Sequence, residues 1–143
     1  MAEPQSFENH AKVVPVYHYF TFGLIAVYVV YRLYVTATAF SLDALMTLLF
    51  AVGVLMVFFW ARLFALRVQD RVIRLEMRLR LSQLVPALGG RLDAFTTNQL
   101  CSLRFASDGE LPALAEKVLA EKLDDRKAIK RLIRDWQPDL HRV

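Results

Sequence analysis

The chain has 143 residues, of which 56% are hydrophobic, and a positive mean hydropathy of +0.33, more than one domain facing water on every side ordinarily carries. Eighteen Lys and Arg against fourteen Asp and Glu give a net charge of +4, too modest for a chain built around nucleic acid. One cysteine, Cys101, excludes an intrachain disulfide and a thiolate metal site, so its simplest role is that of a small core residue.

The apolar residues are concentrated in two runs. Val13–Tyr31 is nineteen residues without Asp, Glu, Lys or Arg, and Ala44–Ala61 is eighteen. With their flanks, both approach the roughly 20 residues a helix needs to cross about 30 Å of hydrocarbon. The spacing predicts an N-terminal cytoplasmic segment over 1–12, transmembrane helices over 13–35 and 42–66, and a short periplasmic loop over 36–41. A secretory signal is not expected for the first run, because MAEPQSFENH has no Lys or Arg and the run continues into the bulky YVVYRLY.

Orientation follows from the arginines. The connector YVTATAFSLD has none, while Arg62, Arg67, Arg71, Arg74, Arg78 and Arg80 crowd the far end of the second helix. Positive charge resists translocation, so both termini are expected on the cytoplasmic side of the membrane that the hairpin spans. Arg32 is the exception. It can snorkel to the interface, beside an aromatic belt of Tyr28, Tyr31 and Tyr34.

The second helix is expected to run on as a basic amphipathic helix over 67–85. Arg67, Arg71, Arg74 and Arg78 recur at i, i+4, i+7, i+11, and Val68, Val72, Leu75 and Leu79 repeat that spacing about 100° around the helix. Asp70 with Arg74 and Glu76 with Arg80 have the spacing of i, i+4 ion pairs. Pro86 stops the helix near Leu84, and Gly89-Gly90 reads as a flexible break. Two roles for the arginines stay open. One is topology signalling with attraction to anionic lipid, which suits Arg62 and Arg67 better than Arg78; the other is docking on acidic protein while the apolar stripe packs on a helix of this chain or a neighbour.

Residues 91–143 predict a small helical cytoplasmic domain. Thr96 and Gln99 have capping-box spacing before a short helix that reaches about Phe105. Pro112 fits the first turn of the next helix, whose apolar face is Leu111, Leu114, Ala115, Val118 and Leu119. Asp124-Asp125 opens the last helix, with Ile129, Leu132, Ile133 and Trp136 at i, i+3, i+4, i+7, ending before Pro138. The fold class is therefore all-α: a transmembrane helical hairpin, its second helix extended into the cytoplasm, then three short helices. About 50 residues are few for an independent core, so packing on the arginine helix or another subunit is expected.

The stretches FENHAKVVPVYHYF, RLFALRVQDRVIRLEMRLRL and LRFASDGELPALAEKVLAEKLDDRKAIKRLIRDWQPDLHRV resemble an uncharacterised bacterial family, a domain of unknown function. The resemblance covers nearly the whole chain and implies two transmembrane helices with a basic helical cytoplasmic tail. It implies no activity, substrate or catalytic residue.

No sequence motif points to catalysis: the G-x-S-x-G, Walker-type and dinucleotide patterns are absent, and the histidines His10, His18 and His141 are scattered. His18, flanked by Tyr17 and Tyr19, is a candidate haem or pigment ligand weighed against interfacial hydrogen bonding, which its place near the boundary after Pro15 favours. Phe50, Gly53, Val57 and Trp60 are candidates for membrane packing, with Gly53 open to a close helix approach. Lys127, Lys130, Arg131 and Arg134 read as a basic face that joins Arg67, Arg71, Arg74 and Arg78 as candidate interaction residues. From Arg62 onward sixteen basic residues face eleven acids, an excess of five that favours an acidic protein over nucleic acid.

These readings converge on a noncatalytic accessory subunit of a large membrane complex, with bioenergetic complexes, photosynthetic or respiratory, as the expected host. Its partners would be other subunits and anionic lipid, with no small-molecule substrate and no cofactor of its own, pigment or lipid being contacted only where partners hold it. The alternative is a self-associating membrane adaptor whose tail recruits a soluble protein or nucleic acid.

Overall fold

The computed structural model describes residues 5–8 and 13–139. His10 and His141 lie outside them. The described residues are all-helical apart from one isolated bridge, and they divide into two compact units: 13–66, and 5–8 together with 67–139.

In the first unit, a π-helical turn, Val16–Thr21, leads into α1, Phe22–Thr38, and α2 begins at Leu42. Pro15, which has no N–H, stands at the N-cap of the π turn, and the Thr21 hydroxyl donates back to the Val16 carbonyl at 2.9 Å. Val16–Thr38 and α2, Leu42–Leu84, are two helices long and apolar enough to cross a membrane. Side chains tie the π turn and the C-terminal part of α1 to α2. The Tyr17 ring stacks on Phe58 at 4.2 Å while its hydroxyl donates to the Phe58 carbonyl at 2.7 Å, and the Thr36 hydroxyl donates to the Ala44 carbonyl at 3.2 Å.

Little of this unit is buried. α1 has no buried residue, and only Ala44 and Ala51 are buried in the apolar part of α2. They stand seven residues apart on one face, and their small side chains permit close approach of a neighbouring helix. Gly53, expected to allow that approach, does not supply it within this chain: a Cβ there would meet nothing within 4 Å.

The second unit is built on the C-terminal part of α2. Ile73, Met77 and Leu81, at i, i+4 and i+8, are 4%, 3% and 0% exposed and form one wall of its core. After Pro86 the chain makes a 3₁₀ segment, Pro86–Ala94, that includes Gly89 and Gly90, so these glycines lie within helical turns. Leu88 and Phe95 anchor its ends in the core. Three short helices follow: α3, Thr97–Leu103; α4, Leu111–Ala120; and α5, Arg126–Arg131. Leu100, Leu103, Leu111, Ala115, Val118 and Ile129 supply the opposing core surface.

Local chemistry fixes each helix end. Thr96 and Gln99 make the reciprocal capping box, and Pro112 stands in the first turn of α4. Asp125 caps α5, accepting from the N–H groups of Lys127 and Ala128 at 3.3 and 3.0 Å. α4 ends in a Schellman motif: Leu123 N–H donates to the Val118 carbonyl at 3.1 Å and Lys122 N–H to the Leu119 carbonyl at 3.3 Å. Lys122 occupies the left-handed position of this motif, with φ 51°, where glycine is usual.

α5 is shorter than the apolar spacing predicts. Beyond it the chain turns extended: Trp136 bridges Ala106, Gln137 N–H donates to the Phe105 carbonyl at 2.7 Å, and Ser107 N–H to the Asp135 carbonyl at 3.1 Å. The Glu110 carboxylate accepts from the N–H groups of Arg134 and Asp135, at 3.0 and 2.9 Å. Trp136 stacks on the fully buried Phe105 at 4.5 Å. Tertiary contacts thus replace the helical turn that Ile133 and Trp136 would otherwise have continued.

Leu81→Ala should lower the unfolding free energy of this unit by about 2–5 kcal/mol, measured by thermal or denaturant unfolding in detergent. Lys122→Gly should raise it by about 0.5–1 kcal/mol in the same assay, because glycine adopts the left-handed position without strain.

Candidate interaction surface

The C-terminal part of α2 presents its residues in three directions. The core face carries Ile73, Met77 and Leu81, with Asp70 and Arg80 at its edges. Arg80 is the most heavily used arginine: its guanidinium donates to Asp108 at 2.7 Å, the Ala106 carbonyl at 2.7 Å, Gln137 at 2.8 Å and the Arg104 carbonyl at 3.3 Å. The planar five-donor fork suits this task, since it can satisfy several fixed acceptors at once. Asp70 pairs with Arg126 at 3.0 Å, and Arg126 also donates to Asn98 at 2.7 Å. The i, i+4 pairs expected from spacing give way to these tertiary partners: Asp70 goes to Arg126 rather than Arg74, and Arg80 to Asp108 rather than Glu76.

The apolar stripe that the periodicity singled out faces away from this core. Val68, Val72, Leu75 and Leu79 are 61%, 49%, 72% and 60% exposed. The expected packing of an apolar stripe within the chain therefore occurs on the other face of the same helix.

The candidate basic residues separate into two groups. Arg67, Arg71, Arg74 and Lys127 are exposed, and no ion pair among the described residues involves them. The others have internal contacts. Arg78 pairs with Asp93 at 2.6 Å, Lys130 lies 5.1 Å from the Phe105 ring centroid, and Arg131 lies 5.6 Å from that of Phe7. Arg134 falls beyond α5, so it does not share a helix face with Lys127, Lys130 and Arg131. A helix of only six residues also offers little length to a nucleic-acid groove.

The N-terminal residues join the same unit. Gln5 accepts from Asp139 N–H at 2.8 Å and donates to its carbonyl at 3.4 Å. Arg104 pairs with Asp139 at 3.0 Å and stacks on Phe105 at 4.4 Å. An open cleft beside α4 is lined by Glu110, Lys117, Arg131, Arg134 and Asp135, charges of both signs that offset one another.

Cys101 is buried, and its thiol donates to the Asp70 carboxylate at 3.4 Å. Desolvation, reinforced by the charge and hydrogen bond of Asp70, pushes its pKa up to about 11. Asp124 lies outside the core, and hydrogen bonds from Thr96 and then Asn98 hold its carboxyl below the ordinary value. The two adjacent acids thus divide their work: Asp124 binds α3 to the start of α5, and Asp125 caps α5.

In the first unit, His18 lies in the π turn. Its Nδ1 stands 3.1 Å from Val14 N and 3.0 Å from the Val14 carbonyl oxygen, so one ring nitrogen is engaged by local backbone in either tautomer. Tyr17 packs edge-on against it at 5.2 Å. Phe50, Val57 and Trp60 are exposed, and Trp60 packs against Phe64 at 5.5 Å beside a shallow apolar depression that includes Met56 and Val57.

The whole chain, residues 1–143, matches the Family of unknown function (DUF6526), and it belongs to that family. No curated protein and no solved structure matches it.

The Cys101 environment has a direct chemical consequence. The thiolate is the reactive form, and burial together with a neighbouring carboxylate suppresses it. At pH 8 the folded chain should react with a maleimide far more slowly than the denatured chain, as read by mass spectrometry over time.

Proposed function

We propose that this chain is a noncatalytic, membrane-anchored subunit of a larger bacterial inner-membrane complex. Its two apolar helices form a hairpin across the bilayer, and the unit carrying the C-terminal helices lies in the cytoplasm and docks on neighbouring subunits.

The observation that carries the reading is the exposure of the apolar helices. A core helix of a soluble protein buries its apolar face, whereas Phe20, Leu24, Val27, Val30, Phe50 and Val57 are all more than 60% exposed. That surface calls for hydrocarbon or other helices as its solvent. Five hydroxyls on these helices find partners without water: Thr21, Thr36, Thr38 and Thr47 donate to carbonyls four or five residues earlier, and Tyr17 donates to the Phe58 carbonyl.

Orientation rests on Arg62, Arg67, Arg71 and Arg74 beyond the apolar part of α2, against a connector without basic residues. The cytoplasmic partner surface is the exposed set Arg67, Arg71, Arg74 and Lys127, which suits acidic protein surface or anionic headgroups. Arg78, Arg80 and Arg126 hold the unit together instead.

A gentle detergent extraction from native membranes, followed by native mass and an absorption spectrum, tests this reading. The expected result is a particle several times the 16.4 kDa chain mass, of fixed composition and containing other polypeptides. Haem or pigment absorption in it would identify the bioenergetic host expected from the sequence. Recovery of the chain in the soluble fraction, or in the membrane fraction with no other polypeptide, would overturn the proposal.

A further inference from the structure

We infer that the exposed stripe Val68–Val72–Leu75–Leu79 of α2 is a self-association seam, and that it takes the same stripe of a second copy of this chain in parallel register.

Three observations carry the inference. The first is the spacing. Four apolar residues at i, i+4, i+7 and i+11 follow the heptad alternation that lets two helices interlock, with Val68 and Leu75 at d and Val72 and Leu79 at a. At the centre of the stripe Val72 at a and Leu75 at d follow the two-stranded preference, whereas Val68 at d and Leu79 at a do not, so the choice of a pair rests on the charge pattern.

The second is exposure. All four are about half exposed or more, while the opposite face of the same helix is closed by Ile73, Met77 and Leu81. The stripe contributes nothing to the core of its own chain, so its periodicity is left to serve a contact outside it.

The third is charge. In this register Arg71 and Arg78 occupy g, and Gln69, Glu76 and Gln83 occupy e. A parallel pair places each g residue opposite the e residue five positions on in the partner, so Arg71 of either copy meets Glu76 of the other, twice by symmetry. An antiparallel pair would set the g side against the g side and bring arginine to arginine. Glu76 and Arg71 are both exposed and free of the core ion pairs, which go to Arg80 and Asp70.

The seam spans about two heptads, short for a coiled coil in dilute solution. Its stability therefore rests on the membrane reading above, which confines both copies to one bilayer and raises their effective concentration.

The test is cysteine cross-linking of the full chain, purified and reconstituted in lipid vesicles, in a Cys101→Ser background. Leu75→Cys should form a covalent dimer on mild oxidation, with about tenfold higher yield than Arg74→Cys on the outer face of the helix. Glu76→Arg added to Leu75→Cys should lower the yield about fivefold, and Arg71→Glu added to that variant should restore it. Equal yields at positions 75 and 74, or a charge swap that fails to restore the yield, would overturn the seam. Flotation of the same vesicles reports membrane insertion independently: a floating chain that does not cross-link defeats the seam alone, and a chain that does not float defeats the membrane reading.

Discussion

The constraint on which the second unit depends is that its short helices cannot enclose a core by themselves. α3, α4 and α5 have seven, ten and six residues, too short to hold helical structure unaided. A long helix lends them a wall. Ile73, Met77 and Leu81 close one side of the core, and the 3₁₀ segment folds back immediately after Leu84 to bring Leu88 and Phe95 onto it. Removing that wall would expose Leu100, Leu103 and Leu111 together, so the small helices and the end of α2 form one cooperative structure.

Polar contacts then fix how the wall meets the helices. Arg80 holds the carbonyls of Arg104 and Ala106 and the side chains of Asp108 and Gln137, and Asp70 holds Arg126. These sit at the edges of the apolar face, half screened from solvent, where a charge-assisted hydrogen bond counts for more than an exposed ion pair. They also orient the chain end: Gln137 lies beside Arg80, and Asp139 bonds both Arg104 and Gln5.

Local rules made the helix ends legible. Pro86, Thr96 with Gln99, Pro112 and Asp125 each act within four residues of themselves, and each does in the structure what its chemistry allows. Long-range choices were not legible in the same way. The end of α2 carries two apolar stripes of similar quality, and periodicity alone does not select between them: the four-residue stripe Val68, Val72, Leu75 and Leu79 is exposed, and the three-residue stripe Ile73, Met77 and Leu81 is buried. Trp136 fits a helical spacing and is held in an extended bridge to Ala106 with its ring stacked on Phe105, partners 30 and 31 residues away along the chain. Arg80 looked like one arginine among six, because its acceptors are carbonyls and side chains 24 to 57 residues distant.

The division of arginines follows from the same geometry. On a helix with one face against a core, basic residues at the edge of that face are drawn inward by fixed acceptors, as Arg80 is, or paired with a nearby acid, as Arg78 is with Asp93. Those on the remaining arc, Arg67, Arg71 and Arg74, keep their charge available. An apolar stripe bordered by such charges on one side and by Glu76 on the other is chemically polarised across its width. A surface of that kind discriminates between partners by orientation, because reversing a copy exchanges attraction for repulsion. In the proposed seam the arginines retained on α2 would therefore act on partner choice through their placement around the stripe, as well as through their net charge.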